Sequence, residues 1–158
     1  MSGPRRLESA PEARGRKVAV VAARFNDFIV SSLLKGAEAA WARHGGALED
    51  LLVVRVPGAF ELPVAARKLA ASGRYDAVVA LGCVIRGGTP HFEYVAGECA
   101  SGLQRAALET RVPVIFGVLT VETVEQALER AATGQGNKGG EAMEAALEMA
   151  GVFAQLGA

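Results

Sequence analysis

The sequence predicts an α/β protein whose mostly parallel sheet is covered by helices on both faces, a three-layer αβα sandwich. Three observations carry this. Short apolar runs alternate with longer stretches of helical periodicity, in the order βαβαβαβαα. The apolar runs are continuous rather than alternating, as strands buried on both faces are. Most helical stretches close on glycine, the usual residue just past a helix end.

Residues 1–15 mix Pro, Gly, Arg and Glu without periodicity and read as a mobile tail. Residues 16–158 read as one domain, with no repeat and no linker dividing them. "KVAVVAA" (17–23) is a first strand, rich in valine. The stretch 28–46 places Leu33, Leu34, Ala37, Ala40 and Trp41 at helical spacing and stops at Gly45-Gly46. "LEDLLVVRV" (48–56) is a second strand, and 59–73 a second helix ending at Gly73. "DAVVALGCVI" (76–85) is a third strand. A third helix covers 89–110, with Thr89 as N-cap and Pro90 at N1, where a helix tolerates proline. "PVIFGVLT" (113–120) is a fourth strand, and 121–134 and 137–157 are two closing helices. The sheet therefore has four strands.

Bulk composition narrows the function. Of 158 residues, 51% are hydrophobic and 22% charged, ordinary for a globular chain. Lys plus Arg and Asp plus Glu are both 17, so net charge is near zero. This argues against nucleic acid or an anionic membrane as the main partner and favours self-association. It leaves room for a local positive pocket. Cys83 and Cys99 fit neither a CxxC spacing nor a disulfide framework and read as buried, reduced thiols. The N-terminus lacks the apolar core of a signal peptide, and no apolar run approaches the roughly 20 residues of a membrane span. A cytoplasmic protein is expected.

Ligands in open parallel sheets bind outside the carboxyl ends of the strands. Polar and aromatic side chains gather at three such ends: Arg24, Phe25 and Asn26; Glu61; and Arg86, Thr89 and His91. Each alone is ordinary; the clustering is the signal. In "VIRGGTPHFE" (84–93), Gly87 and Gly88 let the backbone approach a ligand. The helix start that follows offers free N–H groups to an anion such as phosphate, with Thr89 adding a hydroxyl. A plain capped loop is the competing reading. The pattern is neither GxxxxGK[ST] nor GxGxxG. His91 falls in the first helical turn, and imidazole is the side chain that ordinarily exchanges a proton near neutral pH. His44, at the end of the first helix, suits the helix dipole and is assigned no role. Without a third histidine, no metal site is expected.

The other candidates stand between two readings. Phe25 either stacks on a planar ring or staples the helix start. Glu61 either meets a ligand or complements the helix dipole. Arg130 lies on a polar helical face and alone reads as solvated. Lys138 opens a helix in "GQGNKGGE" (134–141), against the dipole preference, and hints at an anionic or acceptor ligand.

"ARFN", "VPGAFELP", "ALGCVIRGGTPHFEYV", "VPVIFGVLT", "EQALERA" and "GNKG" follow one another in an order that resembles the lumazine synthase (6,7-dimethyl-8-ribityllumazine synthase) family over roughly residues 16–156. The resemblance implies a flavodoxin-like fold. It implies condensation of 5-amino-6-(D-ribitylamino)uracil with 3,4-dihydroxy-2-butanone 4-phosphate in riboflavin biosynthesis, releasing phosphate and water without cofactor or metal. It makes His91 the general acid/base and stacks Phe25 on the pyrimidine. Ala59, Phe60 and Glu61 would bind the pyrimidine and its ribityl chain, and Val84 and Ile85 would offer backbone contacts. Gly88, Thr89 and Arg130 would hold the phosphate. Phe116 and Lys138 would complete the site, with Phe116, Arg130 and Lys138 supplied by a neighbouring subunit. Position 88 is often Glu in the family; glycine keeps a backbone contact there and removes any side-chain one. The implied assembly is a pentamer. The short turn in "RAATGQGNKG" favours a 60-subunit icosahedral shell of pentamers, and riboflavin synthase is a further expected partner. Two rivals are an archaeal-type riboflavin synthase on the same scaffold and a non-catalytic flavin or lumazine carrier. The intact "RGGTPH" and Arg130 speak against the first, since a butanone phosphate needs a phosphate pocket, and His91 beside that pocket speaks against the second.

Overall fold

The computed structural model of the chain describes residues 3–133 and 136–157. Four strands, β1 (Val18–Ala23), β2 (Leu52–Val56), β3 (Ala77–Ile85) and β4 (Val114–Val121), form one sheet in the order β2-β1-β3-β4. Every pairing is parallel. The helices are α1 (Asp27–Arg43), α2 (Leu62–Ala71), α3 (His91–Thr110), α4 (Val124–Arg130) and α5 (Lys138–Leu156). This is the three-layer sandwich expected, with flavodoxin-like strand order.

The alternation of side chains along each strand divides the core in two. Val18, Val20 and Ala22 of β1 and Val79, Leu81 and Cys83 of β3 face α1, α4 and α5, where Leu33, Trp41, Ala127, Met143 and Leu147 pack. Val21 and Ala23, with Val78, Ala80 and Val84, face α2 and α3 and meet Leu62, Ala66, Cys99 and Leu103. Leu33, Met143 and Leu147 are fully buried, and each contributes about 1.5–3 kcal/mol relative to an exposed side chain. Both cysteines are buried and unpaired, and burial pushes each thiol up to about 11. Among the described residues no helix is long and apolar enough to cross a membrane.

Several boundaries moved. Leu48–Asp50 form a short 3-10 turn, so β2 begins at Leu52. Ala59–Glu61 form another, and α2 starts at Leu62 with Pro63 in its first turn. β4 runs to Val121, which pairs with Ile85. α4 then starts only after Thr123, whose hydroxyl caps it by accepting from the Gln126 N–H. Thr89 is not an N-cap: α3 begins at His91 after Pro90, and the Thr89 hydroxyl accepts the His91 N–H at 3.4 Å. The end of helix 121–134 was expected at Gly134, which with Gln135 lies outside the described residues, as does the centre of the turn read as favouring a shell. α1 ends as expected: Gly45 takes φ 99°, and the Gly46 and Gly45 N–H groups return to the Trp41 and Ala42 carbonyls. Residues 3–15 form no helix or strand. They touch the domain where Gln155 Nε2 donates to the Glu8 carbonyl and where the Ala13 N–H donates to that of His44.

α5 enters through Asn137, only 5% exposed. Its side-chain oxygen accepts the Gly140 N–H, while its amide lies 3.0–3.2 Å from the carbonyls of Ser32, Ala131 and Ala132. One buried side chain thus joins α1, the end of α4 and α5. The helices approach closely here: a Cβ at Gly139 would lie 1.9 Å from the Leu33 carbonyl oxygen, and one at Gly140 would lie 3.3 Å from that of Gly36. Gly139→Ala is expected to destabilise the fold by about 1–3 kcal/mol or more through overpacking. Gly140→Ala should cost clearly less. Denaturant unfolding of the two variants checks this, and equal losses would mean that α1 and α5 can separate freely.

Candidate active site

The strand order reverses at the β1–β3 boundary, and the carboxyl ends of β1, β2 and β3 open a crevice there. Backbone bonds carry the sheet's register beyond its strands. The Arg24 N–H donates to the Val56 carbonyl and the Phe25 N–H to that of Pro57, which sets the β1–α1 loop beside Gly58. Asn26 takes a left-handed conformation at φ 63°, which its short polar side chain tolerates. From there its amide donates to the Cys83 carbonyl at 2.8 Å, tying the end of β1 to the end of β3. Arg55 on β2 adds a second brace, donating to the Ala22 and Ala23 carbonyls and pairing with Asp27 at 2.7 Å. The Arg55 hydrogen bond, with a smaller part from Ser31, holds the Asp27 carboxyl below the usual carboxylate range.

The crevice is a cavity of about 780 Å³, within the roughly 300–1,000 Å³ typical of small-molecule sites. Phe25 and Asn26 line it from β1, Pro57 to Glu61 from β2, and Cys83, Val84 and Ile85 from β3. Gly87, Thr89 and His91 close it from the β3–α3 loop, followed by Phe92, Tyr94 and Val95. Phe25 is 71% exposed, so it is not a buried staple; its ring stands at the mouth. A Cβ at Gly58 would lie 3.2 Å from Glu61 Oε1 and 4.0 Å from Phe25 Cβ, so glycine keeps the space between them open. Among the described residues the His91 ring makes no protein hydrogen bond, which leaves it for a ligand.

The structure brings together Phe25, Ala59, Phe60, Glu61, Val84, Ile85, Thr89 and His91. Gly88 is exposed in the same loop, and a Cβ there would meet nothing within 4 Å. Phe116, Arg130 and Lys138 lie apart. Phe116 stands on β4, 44% exposed. Arg130 folds back on α4 to the Gln126 carbonyl, and Lys138 pairs with Glu141 at 3.0 Å. Tyr94 and Val95 were missed; they follow His91 at i+3 and i+4, so the helical face of His91 was the signal available. Arg86 does not point free: it pairs with Glu93 and Glu122. The bond to Glu93 raises the Arg86 pKa and holds the Glu93 carboxyl below its usual range. Among the described residues no three His, Cys, Asp or Glu side chains group as a metal site requires.

Cavities of this size at the carboxyl ends of parallel strands mark α/β proteins that bind small molecules. The sequence model of the 6,7-dimethyl-8-ribityllumazine synthase family matches residues 15–154. The chain belongs to that family, whose members are transferases of riboflavin biosynthesis.

The Asn26 tie is testable by a pair of variants. Asn26→Gly keeps the backbone conformation and loses one hydrogen bond, about 1 kcal/mol. Asn26→Ala loses the bond and also resists the left-handed conformation, for a total of about 2–3 kcal/mol. Thermal unfolding should rank wild type above Gly above Ala; the reverse order for Gly and Ala would mean that the loop relaxes out of this conformation.

Proposed function

We propose that the chain condenses 5-amino-6-(D-ribitylamino)uracil with 3,4-dihydroxy-2-butanone 4-phosphate to 6,7-dimethyl-8-ribityllumazine, releasing phosphate and water. The observation that carries this reading is His91 at the wall of the cavity, next to the Gly88–Thr89 turn and in the same cavity as the exposed Phe25 ring, in a chain of this family.

The pyrimidine stacks on Phe25, with backbone groups of Val84 and Ile85 reading its edge, while Ala59, Phe60 and Glu61 hold the ribityl chain. The phosphate rests on the Gly88 N–H, the Thr89 hydroxyl and the start of α3, a 20-residue helix whose dipole favours an anion. The 5-amine attacks the ketone carbon, and His91 moves the amine proton toward the departing hydroxyl, so water leaves and an imine forms. Loss of a carbon-bound proton then expels phosphate as the C–O bond breaks. The enol left behind takes a proton at its terminal carbon and gives up its hydroxyl proton, becoming a methyl ketone. The ribitylamino nitrogen closes the ring on that carbonyl carbon, and water leaves again. Proton transfer by His91 supplies on the order of 10²–10⁴-fold. Positioning of two substrates supplies much of the rest, up to about 7–11 kcal/mol. No cofactor or metal enters these steps.

In this reading Phe116, Arg130 and Lys138 come from a neighbouring copy. Their exposure, away from this chain's own cavity, supports that arrangement. The assembly is a pentamer that closes into an icosahedral shell, with riboflavin synthase as a further partner. Exposed Phe28, Val64, Leu108, Val124 and Leu128 offer apolar surface for such contacts. A cytoplasmic setting fits two unpaired thiols.

Phosphate release tests the reaction directly. It is expected only when both substrates are present, and His91→Ala should slow it on the order of 10²-fold or more while assembly and ligand affinity hold. Binding of either ligand without release in the wild type would mark a carrier instead. Arg130→Ala should raise KM for the butanone phosphate more than for the pyrimidine. Equal losses, with a changed sedimentation profile, would point to damaged assembly.

A further inference from the structure

Arg86 follows the last residue of β3, and its backbone N–H donates to the Val121 carbonyl at 2.9 Å. Its side chain meets two further elements. Nη1 pairs with Glu93 in the first turn of α3, and Nε lies 2.7 Å from Glu122 just past β4. The guanidinium also stands 4.3 Å from the centre of the Phe92 ring, a cation–π distance. A planar fork can satisfy two carboxylates and a ring at once in a way an ammonium cannot.

What this arginine spans is the turn that carries the proposed phosphate site. Gly87 and Gly88 have open space where side chains would be, and the Thr89 hydroxyl bond is long at 3.4 Å. The turn therefore has little packing of its own. His91 is the residue directly before Phe92 and Glu93, the two that Arg86 grips. Exposed ion pairs add little to global stability, so what remains for this network is local geometry.

We infer that Arg86 is a positioning residue: by pinning the first turn of α3 to the β4–α4 junction, it sets His91 against the Gly88–Thr89 turn. This rests on the proposed condensation for its kinetic consequences, but not for its binding ones.

The competing account makes Arg86 itself a ligand of the phosphate, and the two accounts differ in sign. A direct ligand would be freed by loss of Glu122 and would bind phosphate more tightly. A positioning residue loses its anchor and the site weakens. The test uses the full-length assembled protein, with inorganic phosphate as probe in titration calorimetry and with kcat and KM for each substrate. Arg86→Met should raise the phosphate Kd and the butanone phosphate KM on the order of tenfold and lower kcat similarly, since a displacement of about 1 Å at a reacting group can cost up to about 10²-fold. KM for the pyrimidine should change much less, because Phe25, Ala59, Phe60 and Glu61 stand at the ends of β1 and β2, and the backbone of Val84 and Ile85 is held within β3 itself. Arg86→Lys should recover part of the loss. Glu122→Gln should weaken phosphate binding, and combining it with Arg86→Met, which restores net charge, should not rescue it.

Tighter phosphate binding in Glu122→Gln would overturn the inference in favour of direct contact, as would an unchanged Kd in Arg86→Met in favour of no role. Equal losses for both substrates, with lowered thermal stability and altered sedimentation, would reduce Arg86 to a structural residue. A wild type that binds phosphate but never turns over would sink the condensation and leave the binding series to decide on Arg86.

Discussion

Val18 to Ala22 run beside Ala77 to Leu81, and neither strand has a face open to water. That pairing of β1 with β3 constrains everything around it. Two buried strands at the centre of a parallel sheet require helices above and below, and parallel strands can be joined only by crossovers long enough to hold them. Because β2 lies on one side of β1 and β3 on the other, the chain leaves the sheet's centre in opposite directions. The loops that depart from β1 and β3 therefore splay apart at their carboxyl ends, and the cavity is the space between them.

That space is held to shape by short polar ties rather than by packing. Asn26 joins the loop after β1 to the end of β3, Arg55 joins β2 to the same loop, and Arg86 joins the loop after β3 to the end of β4. The ties run in series across all four strand ends. Between α1, α4 and α5, Asn137 performs a comparable task inside the core, where an unsatisfied amide would be costly and each of its groups has a partner. Cores set the fold's stability, and these few side chains set where its loops stand.

The layers and strands were legible because burial on both faces leaves a continuous apolar run, and glycines end helices where a left-handed residue is required. Boundaries failed where local chemistry competed with the apolar pattern. "LEDLLVV" reads as one strand, yet its acidic residues close a 3-10 turn before β2 starts. Thr89 and Thr123 are both plausible caps; only Thr123 has the helix beginning next to it, since Pro90 takes the cap position after Thr89. The site was legible as a set of strand ends. Its ties were not, because a carboxylate 36 positions along the chain from Arg86 leaves no mark in a local pattern. Asn137 was legible as the start of the closing helix, but not as a buried tie, because the Ser32 carbonyl it bonds lies 105 positions away in the chain.

The strand order also has a temporal consequence. Every strand pairing joins segments far apart in the chain, and loop closure must precede the reward of contact, which makes such sheets slow to form. As the chain leaves the ribosome, β1 and β2 can meet first and fix one side of the loop bearing Phe25, but its tie across the crevice waits until Cys83 emerges to accept the Asn26 bond. The turn that precedes His91 waits longer still, for Val121 and Glu122. The binding crevice is thus among the last parts of the molecule to take shape, and a truncated product of synthesis, however well its first helices collapse, carries no working pocket.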